Sequence, residues 1–154
     1  MATLREAVEA MLEKDGWVFA PVEGQTTLAM GYKGESGMWS CYAHVDDERG
    51  TFVFYSVSDR PVPERHRSAT AEFLTRANFG LVLGNFELDF SDGETRFKTS
   101  AELGGTEPTL ELLRPVVYAN IAAMDRYLPG FDGVSRGSMT PQEAIALCEG
   151  TQPQ

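Results

Sequence analysis

The chain has 154 residues, 42% of them apolar and 23% charged, the balance of one globular domain large enough for its own core. Thirteen basic against 23 acidic side chains give a net charge of -10, which repels phosphate backbones and anionic lipid surfaces, and the densest basic stretch, Arg65-His66-Arg67, follows Glu64. No nucleic-acid partner is expected on that ground, and no membrane partner, since no apolar run approaches the ~18–20 residues of a span.

The first stretch, MATLREAVEAMLEKDGW, carries acidic residues and lacks the uninterrupted apolar centre of a signal peptide, so a cytoplasmic location is expected. Cys41 and Cys148 read as buried free thiols.

Residues 3–14 form a first helix, opened by a Thr3/Glu6 capping box and striped by Leu4, Val8, Met11 and Leu12. Residues 17–20 read as a strand, and Pro21, which has no N–H for a ladder, sends it to a sheet edge. Two alternating strands follow. Residues 27–33 put Leu28, Met30 and Tyr32 on one face, and residues 38–45 put Trp39, Cys41, Ala43 and Val45 on one face. Residues 51–58 are apolar on both faces, with Phe52 and Phe54 against Val53, Tyr55 and Val57, which predicts a central strand. A connection of four or of five residues fits between this strand and the previous one equally well.

A second helix starts near residue 63, with Ala69, Phe73, Leu74 and Ala77 as its apolar positions and Gly80 as its stop. Residues 83–100 then read as a β-hairpin closed by a two-residue turn at Asp92-Gly93. In that register Leu88 faces Phe97, Phe90 faces Thr95 and Phe86 faces Thr99. On the other side Asp89 meets Arg96 and Glu87 meets Lys98. Thr106 caps a third helix that Pro129-Gly130 ends at Leu128, striped by Leu110, Leu113, Val117, Ile121 and Met124. Residues 131–139 are expected to be irregular. A Thr140/Glu143 capping box then opens a short fourth helix over 141–149, with Gly150 beyond its end.

The order α-β-β-β-β-α-β-β-α, plus a short C-terminal helix, predicts one α+β domain over 1–154. Its core is an antiparallel sheet of five to six strands with the helices on one face, because strands grouped in hairpin-linked runs do not build a parallel sheet.

Three blocks carry a family resemblance: residues 73–80 (FLTRANFG), 83–89 with 93–100 (LGNFELD, GETRFKTS), and 118–120 with 124–129 (YAN, MDRYLP). Together they resemble the bacterial YbjN family. The resemblance implies a fold similar to type III secretion chaperones and a label of sensory-transduction regulator. It brings no catalytic motif, and dimerisation is a property such chaperones commonly show. The matching positions Gly84, Asn85, Phe86, Asp89, Gly93 and Arg96 all have structural uses in turn, core and cross-strand pairing.

No constellation in the sequence matches a known catalytic or metal-binding spacing. Cys41 and His44 form a C-x-x-H spacing, but positions three apart on a strand point to opposite faces. No nucleophile elbow, phosphate loop or EF-hand spacing occurs, so no enzyme, metal or cofactor is expected. The expected function is a cytoplasmic protein-binding module, chaperone-like or regulatory, with a polypeptide partner and a homodimer as a further possibility. Tyr42, Phe52, Phe54 and Tyr55 are its candidate contacts, because they alternate between faces and one helical layer cannot cover them all. The alternative is a small-molecule-sensing domain with a pocket between sheet and helices near Trp17, Trp39 and Tyr118.

Overall fold

Residues 27–33 and 38–45 alternate between a more apolar and a more polar face, and that alternation decides which side of the sheet the helices take. A computed structural model describes residues 2–150; Met1 and residues 151–154, part of the expected 1–154 domain, lie outside them. The elements are α1 (Leu4–Lys14), β1 (Phe19–Pro21), β2 (Thr27–Lys33), β3 (Met38–Asp46) and β4 (Thr51–Val57). A 3-10 turn (Glu64–His66) leads into α2 (Arg67–Asn78), followed by β5 (Asn85–Leu88), β6 (Thr95–Glu102), α3 (Leu110–Ser135) and α4 (Pro141–Glu149).

The six strands form one antiparallel sheet in the order β1-β2-β3-β4-β6-β5, so the α+β architecture is as expected and β4 is an interior strand. Asp46 pairs with Thr51, which selects the four-residue connection, residues 47–50, between β3 and β4. Trp39, Cys41, Ala43, Val45, Phe52 and Phe54 all point under the helices and are buried. α3 lies over β4 and β6, α2 over β5, and α1 against β3 and α3. α4 docks on α2 and α3, so it leaves the sheet's other face open. Phe73, Phe86, Phe97 and Tyr127 meet edge to face where α2, α3 and the β5–β6 hairpin converge. Such pairs contribute about 0.5–1.5 kcal/mol each beyond their buried area.

The hairpin corrects the expected register. Phe86 pairs with Phe97, Glu87 with Arg96 and Leu88 with Thr95, a shift of two residues. A two-residue shift keeps every side chain on its face, so alternation is blind to it. The loop decides instead. Asp89 N–H donates to the Glu94 carbonyl at 2.9 Å, closing a longer turn over residues 90–93. Inside it the Asp89 carboxylate accepts from the Ser91 N–H and hydroxyl at 2.8 and 2.6 Å. Val62 N–H donates to Gly93 at 2.9 Å, and Arg67 donates to Val62 and Phe90 carbonyls at 3.0 Å each, tying the turn to the start of α2. Phe90, expected on the apolar side, is exposed in consequence. The ion pairs change with the register, and Glu87 takes both cations, Arg96 at 2.7 Å and Lys98 at 2.9 Å.

The third helix also departs from expectation at both ends. It begins at Leu110 because Pro108 disfavours helical geometry at Glu107, so Thr106 cannot cap it. It runs through Pro129 to Ser135, turning half of the expected irregular segment into helix. Pro129 lacks the N–H that would bond the Asp125 carbonyl. The Ser36 hydroxyl of the β2–β3 turn lies 2.5 Å from that carbonyl and 2.5 Å from the Asp125 carboxylate, so its one proton is shared between the two oxygens.

Candidate functional site

The family-like blocks first have to be separated into residues that build the fold and residues left facing solvent. Asn120 is fully buried in α3. The two N–H groups of its Nδ2 are shared among the Phe54 carbonyl (2.8 Å), the Phe97 carbonyl (3.0 Å) and Thr99 Oγ1 (3.1 Å). Its Oδ1 accepts the Ser56 hydroxyl at 2.6 Å, and Ser56 accepts Trp39 Nε1 at 2.9 Å. One amide thus joins the long helix to β4 and β6, which meets the requirement that buried polar groups be paired.

Asp125 performs a second clamp. Its carboxylate accepts the Glu35 and Ser36 N–H groups at 3.0 and 2.8 Å. Burial works against its charge, but the Ser36 hydroxyl and these two N–H groups hold the carboxyl below the usual range. Gly34 is required there, since a Cβ would sit 2.6 Å from Asp125 Oδ1. Asn78 performs a third task at the sheet edge. Its Oδ1 accepts the Phe86 N–H at 2.7 Å and its Nδ2 donates to the Phe86 carbonyl at 3.2 Å. The side-chain amide therefore occupies the place a neighbouring strand would take and blocks β5 from pairing. Sequence reasoning assigned no role to Asn78, Asn120 or Asp125, whose partners all come from other elements.

The four expected contact residues fall on two sides. Phe52 and Phe54 are fully buried beneath the helices and are core, which removes them from any contact surface. Tyr42 and Tyr55 are cross-strand partners on the open face, half-buried. The Arg96 guanidinium lies 4.3 Å over the Tyr55 ring, a cation–π arrangement. Gln25, Thr27, His44 and Arg96 join the two tyrosines around a groove of about 400 Å³. His44 Nδ1 is 3.0 Å from Thr27 Oγ1, while Cys41 faces the helices, so the C-x-x-H pair is split across the sheet. Burial pushes the Cys41 thiol up to about 11, which keeps it protonated and unreactive at neutral pH. Among the described residues no group of three or more His, Cys, Asp and Glu side chains could hold a metal ion, and no helix is long and apolar enough to cross a membrane.

Two further surfaces stand out. At the α2–β5 connection Phe79, Val82 and Leu83 are 89%, 94% and 54% exposed. Leu112, 41% exposed, joins Leu83 along a groove of about 270 Å³ that also contains Ala101, Pro115 and Val116. Phe79, followed by Leu81-Val-Leu83 between Gly80 and Gly84, carries a sequence signal for this patch, since a loop seldom needs that many large apolar side chains.

The other surface is a cleft of about 640 Å³ between residues 15–18 and 31–33, with Tyr118 at its wall. Trp17 and Tyr118 stand where the alternative reading set its pocket, but Trp39 does not line the cleft; it is buried with its indole N–H on Ser56. Trp17 Nε1 donates to the Tyr118 hydroxyl (3.0 Å), which donates to Asp15 (3.0 Å). Arg114 grips the same carboxylate through two nitrogens at 3.1 and 2.8 Å. That guanidinium, against the cost of burial and with help from Tyr118, holds Asp15 below the usual carboxylate range.

A family model described as "Putative bacterial sensory transduction regulator", YbjN, matches residues 4–133. No curated protein sequence matches the chain. Among solved structures, the crystal structure of YbjN from E. coli, described as "a putative transcription regulator", superposes with a TM-score of 0.61 at 16% identity. The match covers 77% of this chain and 83% of that one, and at such identity it speaks for the fold alone. With the family model spanning most of its length and the same sheet-and-helix arrangement in a solved member, the chain belongs to the YbjN family.

Proposed function

We propose that this protein is a non-enzymatic regulatory module of the cytoplasm that works by binding another polypeptide. The observation that supports the reading is the exposed apolar surface formed by Phe79, Val82, Leu83 and Leu112 beside the groove at Ala101, Pro115 and Val116. Single exposed leucines are ordinary, but several large apolar side chains gathered beside an apolar groove match the composition of recognition surfaces. The half-buried tyrosines Tyr42 and Tyr55 on the open sheet face supply a second, more polar contact region. A family described by sensory transduction fits a protein that acts through a partner. The net charge of -10 favours a polypeptide over a nucleic acid as that partner.

The test is site-specific photo-crosslinking from position 82 in cells, compared with a Phe79→Glu/Val82→Glu variant whose circular dichroism matches wild type. One polypeptide captured by wild type and lost in the variant supports the reading. Equal capture by both proteins, or none by either, overturns the patch as the binding surface. A second copy of this chain as the captured species makes the module a homodimer.

The cleft at Trp17 and Tyr118 favours the alternative, a small-molecule-sensing domain. A thermal shift against a metabolite panel that Trp17→Ala abolishes would move the assignment there.

A further inference from the structure

β6 is longer than β5, and the part of it that β5 leaves uncovered lies against the apolar groove. The two strands pair only over residues 95–98 of β6. Gly84, at φ +80°, turns the preceding chain out of line, and the ladder stops at the Asn85–Lys98 pair. Two bonds fix the direction of the remaining main-chain groups. Ser58 N–H donates to the Thr95 carbonyl at 3.0 Å, so odd-numbered residues of β6 exchange bonds with β4. Asp89 N–H donates to the Glu94 carbonyl at 2.9 Å, so even-numbered residues turn their groups to the β5 side. Ser100 and Glu102 therefore present N–H and C=O past the point where β5 begins, and both residues are exposed. Among the described residues no main-chain group bonds them on that side. Asn78 seals the outer edge of β5 itself, but its amide reaches only Phe86.

Thr99 and Ala101 line the groove from β6, Leu112, Pro115 and Val116 from α3, and Leu83 from the loop before β5. A strand laid antiparallel along residues 99–102, in line with β5, would exchange both bonds with Ser100 and both with Glu102, about 7 Å apart. Its residues opposite Thr99 and Ala101 would point into the groove, and those opposite Ser100 and Glu102 to the open face. Two N–H and two C=O groups at that spacing beside an apolar slot match a peptide backbone. Charge decides whose backbone it is. Glu102 stands at this edge and Glu111 lines the groove, and neither makes a salt bridge among the described residues. A second copy pairing through the same edge would bring its own Glu102 to a diagonal position, about 7–8 Å away, along with its net charge of -10. A basic side chain opposite Glu102 turns that repulsion into attraction.

We infer that the edge of β6 at residues 99–102 receives an extended segment of a partner polypeptide in which apolar residues alternate with lysine or arginine. The segment adds a strand end to end with β5, sets its apolar side chains into the groove under α3, and places a cation opposite Glu102. The inference rests on the polypeptide-binding reading and specifies how that same surface holds its partner. Backbone pairing supplies direction and register, burial in the groove supplies most of the affinity, and the carboxylates select the partner by charge.

The probe is a capped heptapeptide alternating valine with lysine, titrated into the 15N-labelled full chain and followed by amide shifts. Saturable shifts at Ser100, Glu102, Leu83 and Leu112 are expected. Methylating the backbone nitrogens of the lysines, which face β6 in this register, should weaken binding about tenfold. Methylating those of the valines, which face away, should leave it unchanged. Glu102→Lys should bind the unmodified peptide about threefold more weakly. A lysine-methylated copy that binds as tightly as the unmodified peptide overturns strand pairing, and a glutamate–valine peptide that binds as tightly overturns the choice by charge. Slow exchange of the Ser100 and Glu102 amide protons in the free chain, at dimeric mass, assigns the edge to a second copy and overturns the proposal. No shift at millimolar peptide overturns it too, and crosslinking from position 82 then decides the broader polypeptide-binding reading independently.

Discussion

Replacing Asn120 with alanine tests the claim that one buried amide holds α3 to the sheet. The substitution removes donors from the Phe54 and Phe97 carbonyls and from Thr99, and takes the acceptor from the Ser56 hydroxyl. Ser56 cannot recover by turning toward Trp39, because the indole is itself a donor. Each buried group left without a partner costs about 1–3 kcal/mol. The two carbonyls keep their ladder donors, Thr99 N–H and Ser56 N–H, so with the hydroxyl left only the weak Cys41 Sγ at 3.7 Å and a void added, the total should reach about 2–4 kcal/mol. That is a large share of the ~5–15 kcal/mol typical of a domain. Urea unfolding of wild type and Asn120→Ala at pH 7, with the slope checked for constancy, reads the difference directly, and the thermal midpoint should fall by about 10 °C. Asn120→Leu, which keeps the volume and discards the hydrogen bonds, should lose a comparable amount. A loss below about 1 kcal/mol in both variants would refute the reasoning, since it would mean that water or local relaxation satisfies the stranded groups.

The clamp on the β2–β3 turn should give a defined acid response. Asp125 has its carboxyl lowered in the folded chain, so its contribution is complete above the ordinary carboxylate range and disappears as pH falls through the depressed folded value. Asp125→Asn should be less stable at pH 7, and the gap to wild type should close on acidification; a gap that stays constant with pH would remove the carboxylate from the explanation. Asn78→Ala should cost about 1–2 kcal/mol and expose the β5 edge. Light scattering over a concentration series should then show self-association beyond that of wild type, and unchanged mass together with unchanged stability would show that the edge was not sealed by this side chain.

Much of the fold is legible in local chemistry. The capping boxes at Thr3/Glu6 and Thr140/Glu143 form as expected, because a cap needs only residues three apart. The faces of β2 and β3 follow from alternation for the same reason. The exposed Phe79, Val82 and Leu83 were not among the expected contacts, although a short loop seldom carries so many large apolar side chains.

What the sequence could not decide was which of two equivalent patterns the third dimension would choose. The hairpin register is one case. Shifting it by two residues preserves every face and still finds Glu87 a cation on either diagonal, so the choice fell to Val62 and Arg67 gripping the turn from outside. Pro129 is another. A proline ends a helix unless something answers the carbonyl it strands, and here the answer came from Ser36, 89 residues away in sequence. The candidate contacts are the third. Alternation says that Phe52 and Phe54 oppose Tyr42 and Tyr55, but a strand apolar on both faces does not say which pair is covered. That was settled when α3 packed over β4, closing a layer over the phenylalanines, while α4 docked on α2 and α3 and left the tyrosines half-buried on the open face. Alternation and capping are local and survive in a one-dimensional string; register, a rescued carbonyl and the covered face depend on contacts between distant segments, which exist only once the chain is packed.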